Sequence, residues 1–352
     1  MLFLSVVTVA AAGYGDAAGG YPTIAERSLH LWTDAARVDP EAFAAEYARG
    51  GCSTSDFATS ERTPKSPLLY NADLNEAARF HTDDMVTHGF LDHDSWDGTD
   101  FGTRVDRYYD GWSGIGENVA QGYADNFEAV MSGWMCSDGH RSNIMGDYNE
   151  LGTGSDARYY TQDFGLRGSA APQAVAMATH EPFTPSGSAT VYASYEGPGA
   201  SAFDLVLDGT SHAMSVAWGA EDRGIFEVSV SVGEGCHTYY VRVVDPDGEH
   251  RFPETGSYGW GDCAWDDAGA GWIASQEAAT GEPPGDPPGP DDWGGGSGDT
   301  TDDPSDTAAS DTGDTGLPEI KLVGCSTSGG AVGGWLLAAG LVVSRRRLRR
   351  AR

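Results

Sequence analysis

The chain has 352 residues, with 53 acidic side chains against 21 basic ones and a formal charge of -32 at pH 7. That length accommodates two domains and a tail, at about 100–200 residues per domain. The charge argues against nucleic-acid binding, which needs Lys and Arg to neutralise phosphates, and suits a soluble, self-repelling surface.

The amino terminus, "MLFLSVVTVAAAGYGDAAGG", reads as a secretory signal over residues 1–18. An apolar run from Leu2 to Val9 leads into small residues, with cleavage expected near Ala12 or a few residues later. A basic n-region is missing, since the first arginine is Arg27. A buried first strand or helix is the alternative reading.

Residues 21–168 alternate helical patterns with short loops. "TIAERSLHLWTDAARV" carries Ile24, Leu29, Trp32, Ala35 and Ala36 with charges between them. In "ADLNEAARFHTDDMVTHGF", residues Leu74, Ala77, Ala78, His81 and Met85 share one helical face, and Gly89 is the expected stop. "DNFEAVMSGWM" repeats the design with Phe127, Val130, Met131 and Trp134. Two strand-like runs, "NELGTGSD" and "RYYTQDFG", close the region. Helices followed by late strands suggest an α+β layered domain.

Near residue 170 the period changes. "SATVYASYE", "AFDLVLDG", "HAMSVAWG", "GIFEVSVSVGEG" and "HTYYVRVVDPDG" alternate apolar and polar residues between Gly, Pro and Asp turns. This predicts an immunoglobulin-like β-sandwich over 171–275, folding independently of the first domain. It holds no catalytic constellation and reads as a spacer or adhesion module. Residues 280–318, rich in Pro, Gly, Asp and Thr, form an expected disordered acidic linker.

Five cysteines, Cys52, Cys136, Cys236, Cys263 and Cys325, fit an oxidising compartment. Cys52 with Cys136, and Cys236 with Cys263, each fall within one proposed domain and are expected as disulfides. Cys325 is the odd one, in the tail 324–352. That tail joins a Cys, an apolar run from Ala331 to Val343 and the basic end "RRRLRRAR". The apolar run falls short of the roughly 20 residues that a spanning helix needs. The combination resembles a myxobacterial-type C-terminal sorting tag, which implies that Cys325 is processed and lipid-modified. A single-span anchor with positive-inside arginines predicts nearly the same location.

Three segments of the first domain carry candidate chemistry. "AARFHTDDM" and "FLDHD" supply His81 and His93, "GIGENVA" supplies Glu117, and "WMCSDGHRSNIM" supplies His140 beside Arg141. Together with "YYTQDFG", these motifs stand in the order of the bacterial branch of the CAP superfamily (SCP-like extracellular domains), which the stretch 24–165 closely resembles. The resemblance implies an α-β-α sandwich with a shallow His/Glu cleft that in some members holds a divalent metal. On this chain the implied cleft residues are His81, His93, Glu117 and His140. The chain departs from the eukaryotic pattern at Ser137, where a Glu is expected, and at Tyr159, where a His is expected.

A His/His/Glu set of His93, His140 and Glu117 suits Zn²⁺ or another divalent ion with an open position for water. A carboxylate beside an imidazole also suits a general base, which makes these three the catalytic candidates. No nucleophile elbow and no HExxH helix is present. Structural readings stand beside these. His81 is read first as a core histidine, Glu117 as an acceptor for backbone amides, and His140 as a partner for carbonyls where the preceding helix ends. Arg141 reads as a brace paired with a carboxylate. In the corner expected here, Gly139 turns the chain sharply and His140 points back toward Glu117.

The leading expectation is an exported, surface-anchored binding module. Its implied ligands are small hydrophobic molecules or lipids, and its setting is the cell envelope. The alternative is a metal-dependent, peptidase-like hydrolase using the same cleft, and a purely structural envelope protein is a third reading.

Overall fold

The computed structural model describes residues 13–17, 20–47, 53–183, 186–261, 263, 321–322 and 326–327. Cys52, Cys325, the expected linker and almost all of the expected tail lie outside these residues.

The first helix, α1 (Ile24–Val38), starts at a capping box. Thr23 accepts from the Glu26 amide (3.2 Å), and the Glu26 carboxylate accepts from the Thr23 amide (2.6 Å). It stops at Asp39, and α2 (Pro40–Tyr47) begins at the proline that follows. The short strand β1 (Leu69–Tyr70) leads into α3 (Ala72–His88). Asn71 caps α3 by accepting from Leu74, and Gly89 ends it in the left-handed conformation, where the sequence places the stop. The helical face expected there is buried, including Leu74, Ala77, Ala78, His81 and Met85.

After α4 (Phe101–Val105) come β2 (Gly114–Gln121), α5 (Asn126–Glu128) and a π-helical stretch over Ala129–Trp134. Then follow α6 (Asp138–Ile144), β3 (Glu150–Asp156) and β4 (Tyr159–Leu166). The sheet order is β1-β3-β4-β2, with β1 parallel to β3 and the other pairs antiparallel.

Strand alternation makes this a three-layer unit. Gly152 and Gly154 on β3 face α3, which approaches so closely that a Cβ on Gly152 would lie 2.0 Å from the Leu74 carbonyl carbon. Thr153, between them, faces the other way and donates to the Glu26 carbonyl of α1 (2.9 Å). The layer on that side also contains α5 and α6. The α+β class expected from the pattern is therefore the observed one.

Residues 175–261 form two antiparallel sheets. One has the order β5 (Val175–Glu181), β6 (Gly187–Glu196), β10 (Arg223–Val232), β9 (Ser215–Gly219). The other runs β12 (Gly248–Phe252), β11 (Cys236–Asp245), β7 (Ala202–Leu207), β8 (Thr210–Ala213), with β13 (Tyr258–Gly261) also on β11. Inward residues of both sheets, among them Val191, Tyr195, Leu205, Tyr239 and Val241, share one core. Cys236 and Cys263 are disulfide-bonded, as expected. Cys136 is also disulfide-bonded, and its expected partner Cys52 lies outside the described residues. Two short strands, β14 (Lys321–Leu322) and β15 (Ser326–Thr327), pair with the outer edge of β2.

The sandwich packs on the first unit through α1. This helix touches β3 on one side and β5, β6, β9 and β10 on the other. The sequence shows a single apolar stripe on α1, yet Glu26, Arg27, His30, Asp34 and Arg37 are buried too. Each has a local answer. Glu26 pairs with Arg79 (2.7 Å), and the Arg27 guanidinium lies 4.0 Å over the Tyr258 ring. Asp34 accepts from the Leu68 amide (2.8 Å), His30 meets the Leu68 carbonyl (2.7 Å), and Arg37 donates to the Ser66 carbonyl (2.9 Å). Trp32 lies within ring-packing distance of Phe43, Phe127, Tyr192 and Trp218, so it touches both units.

Trp32→Ala is expected to cost about 3–5 kcal/mol, the range for emptying a buried aromatic site. Urea unfolding followed by circular dichroism checks this. A loss below about 1 kcal/mol would show that α1 is not the shared core of the two units.

Candidate functional site

The site lies on the α3 side of β2. Odd-numbered residues of β2 face α3: Ile115 joins the α3–α4 core, and Val119 packs with Met85. Between them, Glu117 points the same way and is 0% exposed. A carboxylate there needs neutralising, and Arg104 on α4 does so through a short Nη2 bond to Oε2. The same guanidinium donates to the His93 carbonyl (2.8 Å) and to Ser95 Oγ (3.3 Å). It thereby ties the 92–95 loop to β2. His93 Nδ1 donates to Glu117 Oε1 at 2.7 Å, and its side chain is 13% exposed, so it forms the solvent-facing end of the cluster.

His81 stands behind them on α3. Its Nε2 donates to the Asp92 carbonyl (2.8 Å), and its Nδ1 is buried with no hydrogen-bond partner. Burial, reinforced by the nearby Arg104 cation, pushes its pKa down to about 3, so the ring is neutral. Its role is to hold the loop that carries His93, which matches the core reading.

Asp163 completes the cluster. It is the cross-strand neighbour of Glu117 in the β2–β4 ladder and is fully buried. Neither of its carboxyl oxygens meets a donor. Burial and then the negative charge of Glu117 push its pKa well up, which favours the neutral acid beside the ionised Glu117. Burial alone would raise Glu117 as well. The opposing pull of the Arg104 cation, with the hydrogen bond from His93, is larger and holds Glu117 down at about 2. The buried corner therefore holds one ionised carboxylate against one guanidinium, with a neutral acid beside them.

His140 takes a different place. The even-numbered residue Asn118 faces the opposite side of β2, where it donates to the His140 carbonyl (3.1 Å) and to Gln162 (2.9 Å). The expected sharp corner at Gly139 is absent, because Asp138 opens α6 and Gly139 lies within that helix. His140 Nδ1 sits 2.7 Å from Ser137 Oγ. Arg141 is the brace that was expected, donating to Glu61 (2.8 Å), Asp138 (2.7 Å) and the Met135 carbonyl (3.0 Å).

The structure thus joins His93 to Glu117, sets His81 behind them, and does not gather His93, Glu117 and His140 into a metal triad. Among the described residues, no group of three or more His, Cys, Asp or Glu side chains is arranged to hold a metal ion. The donor set fits poorly in any case, since both Glu117 oxygens are engaged and one of their partners is a cation. The sequence reading missed Arg104 and Asp163. A charged residue in the middle of β4, a strand buried from Tyr159 to Gly165, was the available signal for Asp163.

The loop bearing His93 also carries an aromatic rim. Trp96 is 59% exposed and stacks on His88 at 4.9 Å, with Phe90 at 5.7 Å from its ring. Asp84 on α3 fixes this loop by accepting from the Trp96 amide (2.8 Å).

Residues 34–164 match the family model of the cysteine-rich secretory protein family, CAP. The uncharacterized membrane protein YlbC of Bacillus subtilis is 38% identical over 101 residues, covering 28% of this chain and 28% of that protein. The uncharacterized protein YkwD of the same bacterium is 31% identical over 104 residues, covering 28% and 39%. Among solved structures, an extracellular protein containing a SCP domain from Bacillus anthracis shows 32% identity over 28% of this chain and 34% of that one, with a TM-score of 0.27. The chain therefore spans between 28% and 39% of the length of these proteins.

Two variants test the charge assignment. Arg104→Ala leaves Glu117 buried without its cation and is expected to cost about 3–5 kcal/mol. The stabilisation from Glu117 is fully present above its ordinary pKa of 4.5 and fades as pH falls toward about 2. Asp163 has the opposite sign, since taking up its proton costs stability above its ordinary pKa of 3.8. Asp163→Asn, which supplies a donor that does not titrate, should keep or raise stability at pH 7. Urea titrations of both variants across pH check this, and a large loss for Asp163→Asn at pH 7 would contradict a neutral Asp163.

Proposed function

Residues 34–164 of this chain belong to the CAP family, and on that premise we propose that the protein is an exported binding module. Its ligand-facing group is His93, held in orientation by Glu117. One observation carries this reading. The carboxylate that could have served as metal ligand or general base is consumed by Arg104 and His93 inside the protein, while the imidazole it fixes reaches the surface. Such a cluster orients a group for recognition. Among the described residues no group of metal-binding side chains stands beside it to favour the metal-dependent hydrolase reading.

The rim beside His93 suggests the ligand chemistry. Trp96, Phe90 and Leu91 give an apolar contact surface, with His88 stacked on Trp96, in the loop that carries the His93 imidazole and the exposed carboxylates of Asp92 and Asp94. That combination suits a small, largely hydrophobic molecule, such as a lipid, with a polar head against His93. Action outside the cell is supported by the apolar amino-terminal run, the disulfides and the extracellular protein that the domain resembles. Retention at the cell envelope through Cys325 rests on the tail sequence alone. No helix among the described residues is long and apolar enough to cross a membrane.

Titration of the purified protein with a fluorescent fatty-acid analogue tests the assignment. His93→Ala and Trp96→Ala are each expected to weaken binding about tenfold, the effect of roughly 1.4 kcal/mol. His140→Ala should leave it unchanged. Absence of saturable binding, or equal affinity in all three variants, would sink the proposal.

A further inference from the structure

The pentapeptide Gly13–Ala17 falls inside the segment 1–18 that the sequence assigns to a secretory signal, yet it is built into the fold. Tyr14 is its anchor. Its hydroxyl donates to the Ala176 carbonyl (3.1 Å) and accepts from the Tyr70 amide (2.8 Å), linking β5 of the sandwich to β1 of the CAP unit. Its ring packs edge-on against Phe252 at 5.7 Å. Tyr258 donates to the Gly15 carbonyl (2.9 Å), the Glu254 amide donates to the Tyr14 carbonyl (2.8 Å), and Ala17 is buried. Asp16 accepts at one oxygen from the amides of Thr255 (2.9 Å) and Gly256 (3.0 Å), and at the other from the Gly13 nitrogen (2.8 Å). Gly13 has no room for a side chain, since a Cβ there would lie 2.9 Å from both Glu254 Cβ and Thr255 Cγ2.

We propose that the export signal is cut between Ala12 and Gly13, and that the new α-ammonium of Gly13 pairs with Asp16 to close the clasp between the two units. The sequence and the fold converge on this bond. Small residues stand at the two positions that export peptidases read, Ala12 and Ala10, at the end of an apolar run of the right length. A later cut, after Ala17 with the small Gly15 at the second of those positions or after Ala18 with the charged Asp16 there, would remove Tyr14 and leave the Tyr70 amide and the Ala176 carbonyl without these partners, which is costly for partly buried groups.

The chemistry is a hydrolysis by a membrane-bound export peptidase. Water adds across the Ala12–Gly13 amide, leaving a carboxylate on Ala12 and an amine on Gly13 that is protonated at neutral pH, since such amines titrate near 7.7–8.0. The neutral amide donor to Asp16 thereby becomes a charged one, which makes a stronger hydrogen bond.

The full-length precursor, expressed in a host that exports it and recovered from the envelope, is analysed by amino-terminal sequencing. The expected first residue is Gly13. A first residue anywhere from Tyr14 to Gly20, or an uncut chain, would overturn the proposal. The charge pairing has its own readout. Protein beginning at Gly13 is compared with protein carrying one extra alanine before it, which moves the ammonium away. The extension is expected to lower Tm by about 2–4 °C, and Asp16→Asn should erase that difference. Equal Tm values in the Asp16 background would overturn the ion pair.

Discussion

A carboxylate with no exposed surface has to be neutralised where it stands, and the corner around Glu117 is arranged by that requirement. Arg104 supplies the charge and, with its remaining donors, fixes the backbone of the loop that carries His93. Asp163, forced onto the same face by strand pairing, cannot ionise beside Glu117 and stays neutral. His81 is likewise neutral and spends its one proton on the same loop. Four buried polar side chains thus converge on the placement of one partly exposed imidazole. Buried ion pairs are poor sources of net stability but hold geometry well, which is what a recognition site requires.

A second constraint is the position of α1. A helix covered on both sides cannot leave its charges to solvent, so each ionisable side chain has found a backbone or side-chain partner. Trp32 and the Tyr14 clasp then join the CAP unit to the sandwich at two separate places. The sandwich is therefore part of the frame that holds α1, and through Thr153 and β3 it supports the sheet on which Glu117 stands.

Much of this was readable beforehand where local rules decide. The buried stripe of α3 and its stop at Gly89 follow from periodicity and glycine's tolerance of the left-handed region. The placing of His93 and Glu117 in one cleft was implied by the family that the motifs resemble. The location of His140 did not, because it depends on strand parity: Glu117 and Asn118 are adjacent in sequence and opposite in space. Arg104 reads as an ordinary surface charge in a short helix, and only its partner reveals that it is buried. The burial of both faces of α1 was illegible for the same reason, since the covering strands lie more than a hundred residues away.

Long-range ¹H–¹⁵N NMR correlation of the His93 ring at neutral pH reads the central contact directly. With Glu117 as the acceptor, Nδ1 carries a proton, and Glu117→Gln shifts that resonance while leaving His140 unmoved. An unprotonated Nδ1, or a His93 ring indifferent to the loss of the Glu117 charge, would contradict the account of this site.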